Sequence, residues 1–240
     1  MSGGCAVGRK NGLIVAIDGP SGAGKSTITR LLAERLGYVH IDTGAMFRAI
    51  ALGARRAGLA ADDDVSLAAL CRRTDIVFVR DNGCCRVMLD GEDVSDVIRT
   101  PEISALTSLI SARKPVRDCL LELQRRMGKD GGVILEGRDI GTVVFPDAEV
   151  KFFLSASAEE RGRRRYLELT AKGETVTLEQ TVAAVIRRDE QDASREHAPL
   201  RCAADAIEVD STGLSIDEVL ALMEGKVRER QKYFAEKNEK

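Results

Sequence analysis

Five consecutive apolar residues, Leu13 to Ile17, end at Asp18, and after a glycine-rich stretch Ile28, Leu31, Leu32 and Leu36 recur on one face of a 3.6-residue period before Gly37. This pattern predicts a buried strand, a loop and a helix. Tyr38 to Ile41 predicts a second strand, and Thr43 to Ala57 a second helix stopped by Gly58. Strands alternating with helices build a parallel α/β sheet.

The rhythm then breaks. Ile76 to Val79 and Cys84 to Leu89 are short strand-like runs, and Asp81-Asn82-Gly83 and Asp90-Gly91 are hairpin signals, so a small antiparallel insert is expected. Thr100-Pro101 is a helix start, and Lys114-Pro115 breaks the pattern before a helix that runs toward Met127. Val133 to Glu136 and Glu149 to Leu154 are apolar-rich and are expected as buried parallel strands. Ser157 with Glu160, Thr177 with Gln180 and Ser215 with Glu218 are capping-box pairs that open three further helices, with Gly173 a hinge between the first two. Ala206 to Val209 supplies a fifth core strand, and the charged end after Lys232 is expected to fray.

Composition narrows the function classes. The chain has 240 residues, 44% hydrophobic and 31% charged, enough for one sizeable core. Its 36 basic and 38 acidic residues leave a formal charge of -2, which gives no global attraction for nucleic acid or a membrane surface. No apolar run approaches the roughly 20 residues of a spanning helix, so a cytoplasmic protein, by default a monomer, is expected. Six cysteines without a C-x-x-C pair, and two distant histidines, lack the usual spacing of a structural metal site. Reduced, mostly packed cysteines are expected.

Gly19-Pro20-Ser21-Gly22-Ala23-Gly24-Lys25-Ser26 matches G-x-x-x-x-G-K-S/T between a predicted strand and a predicted helix. Its glycines let backbone N–H groups converge on phosphate oxygens. Lys25 neutralises the β- and γ-phosphates, the helix N-terminus adds its dipole, and the Ser26 hydroxyl holds Mg²⁺. Gly19 through Thr27 are therefore the candidate ATP contacts. ATPases, GTPases and kinases all share this loop, so the rest of the chain must choose among them. No Asn-Lys-x-Asp run is present, which lowers the case for a guanine-reading switch.

Two further motifs fall where ligands gather in such sheets, after core strands. One is Asp42-Thr43-Gly44-Ala45-Met46-Phe47-Arg48, in which Arg48 is a candidate phosphate grip. The other is Glu136-Gly137-Arg138-Asp139-Ile140-Gly141-Thr142-Val143-Val144-Phe145-Pro146-Asp147. An exposed helix arginine and a buried structural turn fit the same residues. A late R-D-x-x-D-x-x-R run holds Arg188, Asp192 and Arg195.

With these motifs in this order, the chain over about residues 13 to 225 resembles the bacterial-type cytidylate kinase family. The resemblance implies a P-loop kinase core with a five-stranded parallel sheet, an antiparallel insert at about 75–109 within an acceptor-binding region 43–129, and a helical lid at about 158–175. The core would comprise 13–42, 130–157 and 176–225, with a flexible N-terminus 1–12 and a charged tail 226–240. It implies transfer of phosphoryl from ATP to CMP and dCMP, with Mg²⁺. Thr43, Arg48 and Arg138 would hold the acceptor phosphate, and Ser108, Arg117 and Asp139 would read the cytosine edge. Asp192 would accept from sugar hydroxyls while Arg188 and Arg195 approach sugar or phosphate. Cytosine suits this set, since it offers an amino donor beside two acceptors.

Catalysis in this scheme rests on Lys25, Arg138 and Arg195 through alignment and neutralisation, because a phosphate acceptor is already ionised. By resemblance to the acidic end of a Walker B strand, Glu136 binds Mg²⁺ through water; a salt-bridging carboxylate fits equally. Arg161, Arg163, Arg164 and Arg165 share one predicted helix that turns about 100° per residue, so only one or two can face ATP, Arg164 being the candidate. Phe47 stands where many members have tyrosine, and Ser26 where some have glycine. The alternatives are another P-loop monophosphate or small-molecule kinase, and a P-loop nucleotide-dependent switch.

Overall fold

The computed structural model describes residues 9–81 and 84–238, the side chains of 80–85 and 238 excepted. In chain order it comprises β1 (Ile14–Asp18), α1 (Lys25–Leu36), β2 (Val39–Asp42), α2 (Thr43–Arg56), α3 (Asp64–Arg73), β3 (Ile76–Asp81), β4 (Cys84–Leu89), β5 (Glu92–Asp93), a 3-10 turn (Val97–Arg99), α4 (Pro101–Ile110), α5 (Lys114–Gly128), β6 (Val133–Gly137), a π turn (Ile140–Val144), β7 (Val150–Ser155), α6 (Ala158–Ala171), α7 (Leu178–Ala193), β8 (Ile207–Asp210) and α8 (Ile216–Asn238). The chain divides into two compact units: one runs up to His40 and resumes at Gly128, and the other is Ile41–Met127.

The larger unit is built on a five-stranded sheet of order β2-β6-β1-β7-β8. β1 lies in the middle, parallel to β6 with Asp18 opposite Gly137, and parallel to β7 with Asp18 opposite Phe153. Every residue of β1 is buried, as expected of a parallel strand covered on both faces. Val15, Ile17, Phe152 and Leu154 pack with Ile28 and Leu32 of α1 and with Leu220 and Met223 of α8. Each such side chain contributes about 1.5–3 kcal/mol on burial.

Two expectations at the helix ends needed correction. Thr177 and Gln180 do form a reciprocal capping box. At the start of α6 only half of one forms: the Ser157 hydroxyl accepts from Glu160 N, while the Glu160 carboxylate turns to Arg163 and Arg164 instead. Competition from two guanidinium groups decides this. The expected fraying after Lys232 is also absent, because α8 continues to Asn238, Val227 is buried in the core and Phe234 packs against it. Gly225 and Lys232 therefore mark no break, and residues 226–238 belong to the helix.

The smaller unit holds α2, whose Met46, Ala49 and Ile50 are buried, and an antiparallel sheet β3-β4-β5. β3 and β4 pair with Val77 opposite Met88, and the expected turn residues Asn82 and Gly83 lie outside the described residues. The sheet ends at Asp93, well short of the expected boundary at 109. Helical structure takes over there because the Thr100 hydroxyl accepts from Ile103 N, with Pro101 in the first turn. Helix α3 went unread in the sequence, although Asp63 caps it and Leu67, Leu70 and Cys71 form its buried face. Of the described cysteines, Cys71 is buried, Cys119 half-buried and Cys202 exposed, and all are free.

Candidate active site

The loop between β1 and α1 can be made only with glycine at its entry. Gly19 has φ +150, and a Cβ there would lie 1.9 Å from the Leu154 carbonyl oxygen. At its exit Gly24 precedes α1 with no side-chain cap, so the first N–H groups of the helix are left to an anion. Lys25 Nζ donates to the carbonyl oxygens of Gly19 at 2.8 Å and Pro20 at 2.6 Å. Burial, reinforced by nearby Arg138, holds this ammonium well below its ordinary pKa. An ammonium in that condition favours a polyphosphate as counter-charge.

Beside it, the exposed Ser26 hydroxyl donates to Glu136 Oε2 at 2.8 Å, and Glu136 Oε1 meets His40 Nε2 at 2.9 Å. Hydroxyl and carboxylate together suit a small hard cation that keeps water and phosphate oxygens in its shell. Among the described residues no three His, Cys, Asp or Glu side chains gather to hold a metal by themselves. Thr27 follows on the exposed side of the first turn of α1.

Three arginines surround one carboxylate at the same sheet edge. Arg138 Nε donates to Asp192 Oδ2 at 2.8 Å, and Arg195 pairs with Oδ1 of the same group. Burial would raise the Asp192 pKa, but Arg138, Arg195 and Arg188 bring it below the ordinary carboxylate value. Arg138 and Asp192 both act electrostatically on Lys25, so P-loop and late motif form one charged cluster. Asp139 is buried, and its carbonyl oxygen accepts from Val143 N and Val144 N to start the π turn.

The arginines of α6 separate as the helical period requires. Arg163 pairs with Glu160, and Arg165 with Glu168. Arg161 is buried, donating to Ser21 O in the P-loop at 3.1 Å and to Asp189 at 2.6 Å. Arg164 donates to Ser211 O and Glu160, and its Nη1 lies 3.8 Å from the point where a Gly24 Cβ would stand.

In the smaller unit, Thr43 is the buried first residue of α2, and Asp42 caps that helix by accepting from Ala45 N at 2.9 Å. Arg48 and Arg99 approach the Asp42 carboxylate at 3.6 and 3.9 Å. Arg117 donates to Ser111 O, and its guanidinium stands 5.5 Å from the centroid of the Phe47 ring. Ser108 Oγ donates to Ser104 O one turn back on α4. The sequence reading overlooked Asp18, His40, Arg99 and the P-loop contact of Arg161. A charged residue ending an apolar strand was the available signal for Asp18; Arg99 and Arg161 carried none.

A glycine-bounded loop, a buried lysine at its mouth and an arginine–carboxylate cluster on the same sheet edge define a P-loop phosphotransferase site. Comparison with known proteins gives the family: residues 15–229 match the family model described as cytidylate kinase, and the chain belongs to that family. It is 74% identical over 227 residues to a cytidylate kinase of Geobacter sulfurreducens, covering 95% of this chain and 97% of that one. Against a cytidylate kinase of Caldicellulosiruptor bescii it is 50% identical over 206 residues, 86% of this chain and 91% of the other. In fold alone it resembles the crystal structure of an uncharacterized protein from Eubacterium ventriosum, with TM-score 0.50, 12% identity, and coverage of 90% and 98%.

Proposed function

We propose that this protein transfers the γ-phosphoryl group of ATP to CMP, and to dCMP, yielding ADP and CDP or dCDP. The observation that carries the reading is the buried Lys25 side chain at the P-loop mouth, hydrogen-bonded to the carbonyl oxygens of Gly19 and Pro20, with the Arg138–Asp192–Arg195 cluster on the same sheet edge. Transfer between two polyanions needs alignment and neutralisation more than a base. Lys25 and the N-terminus of α1 would take the triphosphate, with Arg164 beside Gly24 on the donor side. Arg138 and Arg195 would bear on the phosphate being received, Arg188 would approach sugar or phosphate, and Asp192 would accept from the sugar. Thr43, Arg48, Ser108, Arg117 and Asp139 keep the acceptor roles that the family resemblance implies.

Mg²⁺, held through Ser26 and Glu136, would neutralise phosphate charge. The segment 158–175 is proposed as a lid that excludes water and suppresses ATP hydrolysis. Incubation of the purified protein with Mg-ATP and each of CMP, dCMP, UMP and AMP tests the reading. CDP and dCDP should form fastest, with little ADP in the absence of an acceptor. Preferential formation of another diphosphate, or ADP release that no acceptor stimulates, would replace CMP kinase by one of the two alternatives.

A further inference from the structure

One buried carboxylate at this edge belongs neither to the phosphate loop nor to the late arginine cluster. Asp18 ends β1, opposite Gly137 in the parallel register, and is 4% exposed. Each of its oxygens serves a different backbone donor: Oδ1 accepts from Ile140 N at 2.8 Å and Oδ2 from Gly141 N at 2.7 Å. Those two N–H groups open the π turn, and the two residues just before it are Arg138 and Asp139. The first donors of a helical turn have no partner within it, and when buried they must find one.

We infer that Asp18 is a positioning residue, which through a two-point grip on the Ile140 and Gly141 amides fixes the Arg138-Asp139 segment for the acceptor and ties it to the strand that carries the phosphate loop. The inference deepens the proposed function and rests on it for its kinetic readout, while the grip itself is a property of the fold. Asparagine is nearly isosteric but offers one acceptor oxygen and one amino donor, so it keeps one of the two bonds and turns a donor on the other amide. A protonated aspartic acid is likewise reduced to fewer acceptors. The groups that face Asp18 include Lys25 of α1, Asp139 at the turn, Cys202 in the segment before β8, and Lys151 of β7, which flanks Gly141 together with the Asp18 carboxylate and pairs with Asp205. Burial, opposed by the Gly141 and Ile140 amides, pushes the carboxyl up to about 6. The grip is complete above that pH and weakens below it.

The test is Asp18→Asn, assayed for both substrates across mildly acidic to neutral pH. At neutral pH the KM for CMP should rise roughly tenfold, while that for ATP stays within about twofold. CMP takes up a proton of its own near pH 6, roughly as other phosphate monoesters do, so the diagnostic quantity is the ratio of wild-type to variant kcat/KM for CMP, in which the substrate cancels. That ratio should fall toward unity below pH about 6. A ratio independent of pH, or equal losses for ATP and CMP, would overturn the assignment. Amide hydrogen exchange of the wild-type protein, corrected for intrinsic pH dependence, covers a variant that does not fold. Ile140 and Gly141 should lose protection below pH about 6 ahead of their neighbours, and unchanged protection would sink the grip. If the wild type phosphorylates no CMP, the proposed function fails, and the exchange measurement still decides the role of Asp18.

Discussion

Lys25 shows most directly how burial sets chemistry at the level of one side chain. Its Nζ donates to the carbonyl oxygens of Gly19 and Pro20, and desolvation lowers its pKa well below the ordinary lysine value. A group shifted in that direction favours stability at alkaline pH and opposes it as pH falls and the buried amine must charge. On the proposed reading, a bound triphosphate adds negative charge to that of Glu136, Asp18 and Asp192, so binding should raise the pKa again and draw a proton from solution. Calorimetry of ATP binding at mildly alkaline pH, in buffers of different ionisation enthalpy, should register net proton uptake; a heat that does not depend on the buffer would refute it. The P-loop residues were legible because their chemistry is local, a loop and a helix end contiguous in sequence. Asp18 showed only as a charged end to an apolar strand; its role was hidden, because its partners Ile140 and Gly141 lie 122 and 123 residues away and contact it through backbone amides, which no residue type announces.

Among the elements, helices α6 and α7 pack closely because of one small residue. A Cβ added to Gly162 would stand 2.3 Å from Val182 Cγ2 and 2.8 Å from its Cα, so backbone on one side leaves no room for a methyl group. Gly162→Ala should therefore destabilise by about 1–3 kcal/mol despite alanine's better helix propensity, read as a lower denaturant midpoint with an unchanged m-value. Stability equal to or above wild type would show that the two helices can separate without cost. The same helix explains why four clustered arginines do not act together: Arg161 reaches back to Ser21, whereas Arg163 and Arg165 pair with Glu160 and Glu168 on their own helix. Periodicity gave their division, but not which of them turns inward. Helix α3 was missed because it buries only three residues, Leu67, Leu70 and Cys71, too few for a clear period.

At the scale of the whole molecule, two substrates binding the native state should each stabilise it by mass action. A non-hydrolysable ATP analogue at about 100 times its Kd should contribute about 2.7 kcal/mol, and CMP at the same multiple a comparable amount. Melting curves with each ligand alone and both together check this, and a protein indifferent to CMP would count against the acceptor reading. The strand and helix alternation, the phosphate loop and the order of the family motifs were all determined by the chain itself, since each depends on hydrophobic period or on neighbours a few residues apart. The extent of the antiparallel insert, the continuation of α8 to Asn238, and the gathering of Arg138, Asp192 and Lys25 at one edge were decided by tertiary structure. Burial and long-range pairing set those features, and both depend on which segments come to lie side by side, which a linear pattern does not contain.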